Sequence, residues 1–299
     1  MTKKDSLSRK IFYVCLIIFF FLMMATVLFP YLNILAKALN EGSDTSKGGI
    51  LIWPRVPTLE NFATVLRDED IVRAFFNTVC IVILATLVRV LIQYITAYVF
   101  LDTRFIGRQF LLYMFMIPMY FGGGLIPAYM LYSKLGLMNN FMVYIIPGCF
   151  SVYNMIIIRS YLKSIPKSLA EAAKVDGAND IFIAFRIYMP LAKPVLATVS
   201  LWCAVGAWNN WTTTLYYVTD KSLYTLQYVL MQVLKEASRI QTLINEAALR
   251  GETLEIVSKV TTESIQCAQL MITTLPIVMV YPFLQKYFIQ GVTMGSVKD

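Results

Sequence analysis

Apolar residues in this chain come in blocks of about twenty, and that spacing limits what it can fold into more than any other feature. A hydrocarbon core of ~30 Å is crossed by about 20 helical residues. Six segments meet that length, near 11–36, 74–99, 109–131, 138–158, 194–217 and 268–289. Lipid offers no partner to an open strand edge, and the residue-by-residue alternation of a barrel wall is absent, so each span is expected to be a helix. The expected fold class is therefore an all-α integral membrane protein with six transmembrane helices. Composition agrees, with 58% of the 299 residues hydrophobic and 15% charged, where a soluble domain carries about a quarter charged.

The first span follows Lys3, Lys4, Arg9 and Lys10. Its apolar run is too long for a cleaved secretory signal and no small-x-small site follows, so it reads as a retained anchor. Residues 1–10 are then a cytoplasmic tail and 11–299 a single transmembrane domain. Orientation follows from the basic residues. With the N-terminus inside, segments 1–10, 101–108, 159–193 and 286–299 hold 14 basic and 6 acidic residues, whereas 37–73, 132–137 and 218–267 hold 11 and 12. Positive loops stay inside, which places both termini in the cytoplasm of a multi-pass protein of the cell membrane. The two long outer loops, 37–73 and 218–267, are either small ordered lobes or connectors. The second carries a helix-like stretch from Ser222 to Ala237 and a polar stretch from Asn245 to Glu263.

Several chemistries are excluded. The chain has no His, and Cys15, Cys80, Cys149, Cys203 and Cys267 stand singly, so neither zinc nor Cys–His catalysis can be built and no metal site is expected. The net charge of +8 is not gathered into a basic stripe with interleaved aromatics, which argues against nucleic acid. No Gly-x-x-x-x-Gly-Lys-Ser/Thr occurs; the run Gly122 to Gly124 lies in a span without a following Lys.

The largest cytoplasmic loop, 159–193, carries the most specific pattern. Pro166 and Ser168 suit a helix start, and Leu169, Ala172, Ala173 and Val175 supply a short apolar face before Gly177 stops the helix. The small Ala172 and Ala173 let another surface approach, and Glu171 adds one charge. Asn179 and Asp180 then cap a second amphipathic helix that runs to Pro190.

Glu171-Ala172-Ala173, Gly177 four positions on, then Ile187 and Pro190 resemble the EAA signature, EAA-x3-G-x9-I-x-L-P, of inner-membrane subunits of binding-protein-dependent ABC importers. Met189 stands where Leu is usual, a volume-conserving swap. The lead-in Ser164 to Leu169 and the stretch Ala173 to Ala178 are similar to the carbohydrate-uptake branch. Phe121 to Pro127 and Gln290 to Lys298 resemble its oligosaccharide and complex-glycan subgroup. The resemblance implies a coupling helix between spans four and five that docks into a separate ATPase, with Glu171, Ala172, Ala173, Asp176 and Gly177 in the coupling role. It also implies a second permease subunit, an extracytoplasmic solute-binding protein and a sugar substrate. The chain itself would hold no cofactor and be no enzyme; ATP and Mg would belong to the partner ATPase. In the sugar importers it resembles, the loop corresponding to 218–267 reaches into the binding protein. An ion-gradient-driven secondary carrier is the alternative, but such carriers carry paired repeats and intramembrane acids, and neither is present.

Two features bear on a solute path. Span five carries Trp208, Asn209, Asn210 and Trp211; aromatic rings suit the C–H faces of sugars and amides suit hydroxyls. The same residues also suit an interfacial aromatic belt with Asn and Thr bonding between helices. If the span is one helix, Trp208, Trp211 and Thr212 share a face and Asn209 and Asn210 flank it. Arg89 lies inside span two with no acid in any span, so its counter-charge is a carbonyl, water, a lipid phosphate or a second subunit. Pro118, Gly122 to Gly124 and Pro127 break span three, either toward the path or as a packing kink.

Overall fold

The computed structural model describes residues 7–249 and 261–296. Among them the regular secondary structure is helical, apart from one isolated antiparallel bridge between Asn40 and Pro57. The helices are α1 (Leu7–Ala38), α2 (Glu60–Arg67), α3 (Glu69–Val99), α4 (Arg108–Tyr120), α5 (Leu125–Lys134), α6 (Val152–Leu162), α7 (Ser168–Val175), α8 (Asp180–Leu191), α9 (Lys193–Trp208), α10 (Thr212–Tyr217), α11 (Leu226–Leu249) and α12 (Thr262–Ser296). Two compact units are formed, one from Met1–Glu69 with Gln232–Thr274, the other from Asp70–Met231 with Leu275–Asp299.

Among the described residues three helices, α1, α3 and the Thr262–Val280 part of α12, are long and apolar enough to cross a membrane, or up to five spans if each of two bent pairs counts as one. The pairs are α4 with α5, bent by 115°, and α8 with α9, bent by 81°. The first bend falls on the glycine run that the sequence marks as a breaker. Gly124 sits at φ 85°, where only glycine is unstrained.

The expected fourth span, 138–158, is not one helix. It holds a single 3-10 turn, Phe141–Tyr144, then Pro147 and Gly148, and continues as the 11-residue α6. Eleven residues rise only ~16 Å, about half a hydrocarbon core. Pro147 removes a backbone donor, and Ser151 restarts the helix by accepting from Asn154 N. The expected fifth span, 194–217, is also divided: α9 ends at Trp208 and α10 begins at Thr212. In the 218–267 segment the helix begins at Leu226, four residues later than Ser222, because Asp220 Oδ1 accepts from Ser222 N and holds a 3-10 turn there. The polar stretch expected from Asn245 to Glu263 lies largely outside the described residues, as do the side chains of Gln290 to Lys298.

In the first unit, residues 37–67 form an ordered lobe. Asn40 is fully buried; its Oδ1 accepts from Val56 N at 2.7 Å and its Nδ2 donates to Thr45 Oγ1 at 3.0 Å. Asn61 Nδ2 donates to the carbonyls of Ala38 and Asn40, and Arg55 Nε pairs with Asp44 at 2.9 Å. The Asn40 amide, with Arg55, holds the Asp44 carboxyl below the usual carboxylate range.

In the second unit, α3 is the central post. Small residues Ala85 and Ala97 are fully buried along it, letting neighbours approach closely. One core gathers Tyr94, Met155, Ile158, Leu162, Ile183 and Val199; the other gathers Ile81, Leu137, Val143, Tyr144 and Val218.

Asn40→Ala is expected to leave the Val56 amide without its partner, at a cost of about 1–3 kcal/mol. Limited proteolysis of the purified protein should then cut within 39–58 faster than in the parent. An unchanged cleavage rate would mean that the lobe does not depend on Asn40.

Candidate functional site

Helix α7 has the extent the sequence predicts, and its end is built from backbone bonds. Gly177 N donates to Lys174 O at 3.1 Å and Ala178 N to Ala173 O at 2.9 Å, with Gly177 at φ +84°. This is the paired-bond glycine stop of a helix terminus. Nothing lies within 4 Å of the place a Cβ would take on Gly177, so its backbone conformation, rather than space, calls for glycine.

The short helix has two apolar faces instead of one. Ala170 and Ala173, three apart, pack against the core of the second unit together with Ala178, Ile187 and Met189. Leu169, Ala172 and Val175 point outward, and Val175 is 88% exposed. Glu171, Asp176 and Gly177 are exposed as well. Beside them a concavity of about 550 Å³ is lined by Ala173, Asp176, Gly177, Asn179, Phe182 and Ile187. The outer surface thus combines small side chains, one acid near the helix start and an adjoining hollow.

The segment that follows ties this surface to the membrane part of the unit. Asn179 caps α8 by accepting from Phe182 N at 2.8 Å, as its position predicts. The middle of α8, Ile183–Tyr188, is a π-helical turn. There the Tyr94 hydroxyl, from α3, donates to Ala184 O at 2.5 Å, and the Tyr98 and Tyr188 rings meet edge to face at 5.4 Å. Lys174 pairs with Asp180 at 2.8 Å across the turn. Packed side chains and a buried hydrogen bond therefore join α7 and α8 to α3.

The residues expected on the solute path are placed differently from one continuous face. The helix ends at Trp208, so Trp208, Trp211 and Thr212 do not form one surface at helical spacing. Trp208 is buried at 7% exposure, its ring edge-on to Phe75 at 6.1 Å. Asn209 is exposed and donates to Val205 O at 2.9 Å, and Asn210 is half-buried, so the two are not a buried pair. Asn210 accepts from Thr213 N at 3.1 Å and donates to Thr213 Oγ1 at 2.8 Å, starting α10. Trp211 is half-buried at that break.

Arg89 takes the carbonyl among its four possible partners: Nη2 donates to Tyr144 O at 3.1 Å. Gly148 makes room for it, since a Cβ there would lie 2.7 Å from Nη2. Arg89 Nε, Thr86 Oγ1 and both amide atoms of Gln93 are buried without a hydrogen-bond partner. Positions 86, 89 and 93 share one face of α3. Gln93 was missed by sequence reasoning, although a Gln one turn from the span's only charge is a legible signal. Tyr94 carried none.

The sequence profile of the family described as "Binding-protein-dependent transport system inner membrane component" matches residues 3–294. The chain is 33% identical to the protein LplC of Bacillus subtilis (strain 168) over 299 residues, 99% of this chain and 98% of that one. It is 30% identical to the polygalacturonan/rhamnogalacturonan transport system permease protein YtcP of the same organism, over 93% of this chain and 96% of the relative. Among solved structures, a chain from a bacterial ABC transporter involved in the import of the acidic polysaccharide alginate superposes with a TM-score of 0.86 at 26% identity, covering 96% of this chain and all of the other. A helical chain with apolar spans, an EAA-spaced surface helix and a match over nearly its whole length is a permease of the ABC type: it belongs to the family of inner-membrane components of binding-protein-dependent transport systems.

Proposed function

We propose that the chain is one of two permease subunits of an ATP-driven importer of oligosaccharides or glycans, and that α7 docks into a separate ATPase. The observation that carries this reading is the signature Glu171-Ala172-Ala173-x3-Gly177 on an exposed helix whose opposite face is packed into the membrane part of its unit. The sugar class is supported by the named substrates of YtcP and of the alginate importer. ATP and Mg belong to the partner. The arrangement is six spans, with the divided 138–158 segment as the fourth, both termini cytoplasmic and α7 between spans four and five. The lobe of residues 37–67 and α11 then face outward, where the 218–267 loop contacts a solute-binding protein. Residues 11–299 act as one transmembrane domain.

Within it the solute path runs past Trp211, Asn209 and Asn210 at the break of span five, with Trp208 behind them and Arg89 deeper on α3. Unpaired polar atoms on Thr86, Arg89 and Gln93 support a path that takes polar groups, because buried polar atoms without partners are costly anywhere else.

Gly177→Leu is expected to strain the left-handed turn by about 1–2 kcal/mol. The chain should remain in the membrane while uptake and solute-stimulated ATP hydrolysis are lost. Normal uptake at parental protein levels would refute the coupling role.

The two tryptophans should separate. Trp208→Ala removes a buried ring, at about 3–5 kcal/mol, and should lower the amount of assembled complex. Trp211→Ala should leave assembly and basal ATP hydrolysis intact and reduce uptake per assembled complex. An unchanged normalised rate takes Trp211 off the path.

A further inference from the structure

Below the path, where α4 begins beside the end of α6, lies a cleft of about 390 Å³ lined by Arg108, Gln109, Leu112, Tyr113, Met116, Ile156 and Arg159. Its charged end is built by the chain. Arg108 is the first residue of α4, at the positive end of the helix dipole, and Arg159 is anchored by Nε donating to Phe100 O at 2.9 Å. That bond uses one edge of the guanidinium and leaves the two terminal nitrogens for another acceptor. Gln109 Nε2 donates to Tyr113 Oη at 3.3 Å, placing polar groups beside the two arginines.

The cations converge without an acid. Neither Arg108, Arg159 nor Lys163 makes an ion pair among the described residues, and Asp102, in the loop that leads to α4, is taken by Arg104. Their mutual repulsion is felt: Arg159, then burial, then Arg108 hold the Lys163 amine below its ordinary value. A fold that sets Arg108 and Arg159 in one cleft, with Lys163 near enough to feel both, gathers positive charge that an anion can neutralise. The other end of the cleft is apolar. Leu112 and Met116 rise on α4, one turn apart, with Ile156 facing them from α6. An anion that fits must be negative at one end and hydrocarbon at the other.

We infer that this cleft is a binding site for the headgroup of an anionic phospholipid of the cytoplasmic leaflet, its phosphate held by Arg108 and Arg159 and its first acyl carbons lying on Leu112, Met116 and Ile156. Basic pockets between membrane helices on the cytoplasmic side take such headgroups, and planar guanidinium groups suit phosphate oxygens. The assignment rests on the proposed sidedness, with 101–108 and 159–193 in the cytoplasm. The lipid, bridging α4 and α6, would brace the start of the bent α4–α5 pair.

The test is native mass spectrometry of the intact complex, purified in mild detergent and supplied with phosphatidylglycerol, phosphatidylcholine or inorganic phosphate. The parent complex should retain phosphatidylglycerol in preference to phosphatidylcholine. Arg108→Gln should weaken that retention about tenfold, as expected for one lost charge-assisted contact, and Arg108→Lys should restore part of it. Arg108 is preferred to Arg159 because it makes no bond to the backbone of another element. Equal retention by the parent and Arg108→Gln would overturn the site, as would an equal loss of both lipids. Displacement of phosphatidylglycerol by millimolar inorganic phosphate would assign the cleft to a free anion and overturn the lipid. Binding in detergent does not depend on which way the loops face, so an error of sidedness, read by labelling Thr103→Cys in whole cells with an impermeant maleimide, is visible separately.

Discussion

A helix that stops inside a hydrocarbon layer leaves amides and carbonyls that lipid cannot satisfy, and much of this structure is the answer to that constraint. The second unit interrupts its helices at 120–125, 134–152 and 208–212, and polar side chains are stationed at two of these gaps. Arg89 supplies a donor for Tyr144 O. Asn139 Oδ1 accepts from Thr219 N at 2.6 Å and Asp220 N at 3.0 Å, and Asn140 Oδ1 from Met142 N at 2.9 Å. Asn210 serves α10 in the same way. The Tyr144 hydroxyl continues the network, meeting Thr214 Oγ1 at 2.9 Å and Leu223 O at 2.9 Å, while Thr214 meets Thr225. These bonds fix the segment before α11 to the interrupted region, so α11 begins from an anchored point.

The same constraint explains what was legible from sequence alone. Helical class, apolar stretches and the α7 turn follow from hydropathy, from Pro and Gly, and from the spacing of Glu171, Ala172, Ala173 and Gly177, all of them local signals. The division of 138–158 was not legible, because average hydropathy does not register where the backbone bonds go. Pro147 and Gly148 were the visible clue, but proline and glycine are common enough in membrane helices to be read as a kink. The Trp208 to Trp211 stretch misled for a related reason: helical spacing predicts a shared face only while the helix continues, and whether it continues depends on Asn210 bonding to Thr213. Arg89 could be recognised as unpaired with acid, yet its carbonyl partner lies 55 residues away in sequence.

Threonines make the opposite point. Thr26, Thr96, Thr198 and Thr274 each donate to the carbonyl four residues earlier, at 2.7–3.0 Å. A hydroxyl satisfied within its own helix places no demand on a neighbour. Such residues look polar in a hydropathy plot and behave as nearly apolar surface, unlike Gln93 and Gln269, which are fully buried with both amide atoms unpaired. Polarity at membrane depth is thus better judged by whether a side chain can close its own bonds than by residue type.

The outward stripe of α7 bears on the life of the subunit before it is assembled. Leu169, Ala172 and Val175 form a patch of only three modest side chains, whereas exposed apolar surface becomes a hazard in water when it is contiguous over more than a few hundred Å². A newly inserted copy can therefore wait in the membrane with this surface bare, neither collapsing onto itself nor drawing other chains to it. A contact that small is also easily undone. A surface of this kind can be covered and bared again without unfolding anything around it.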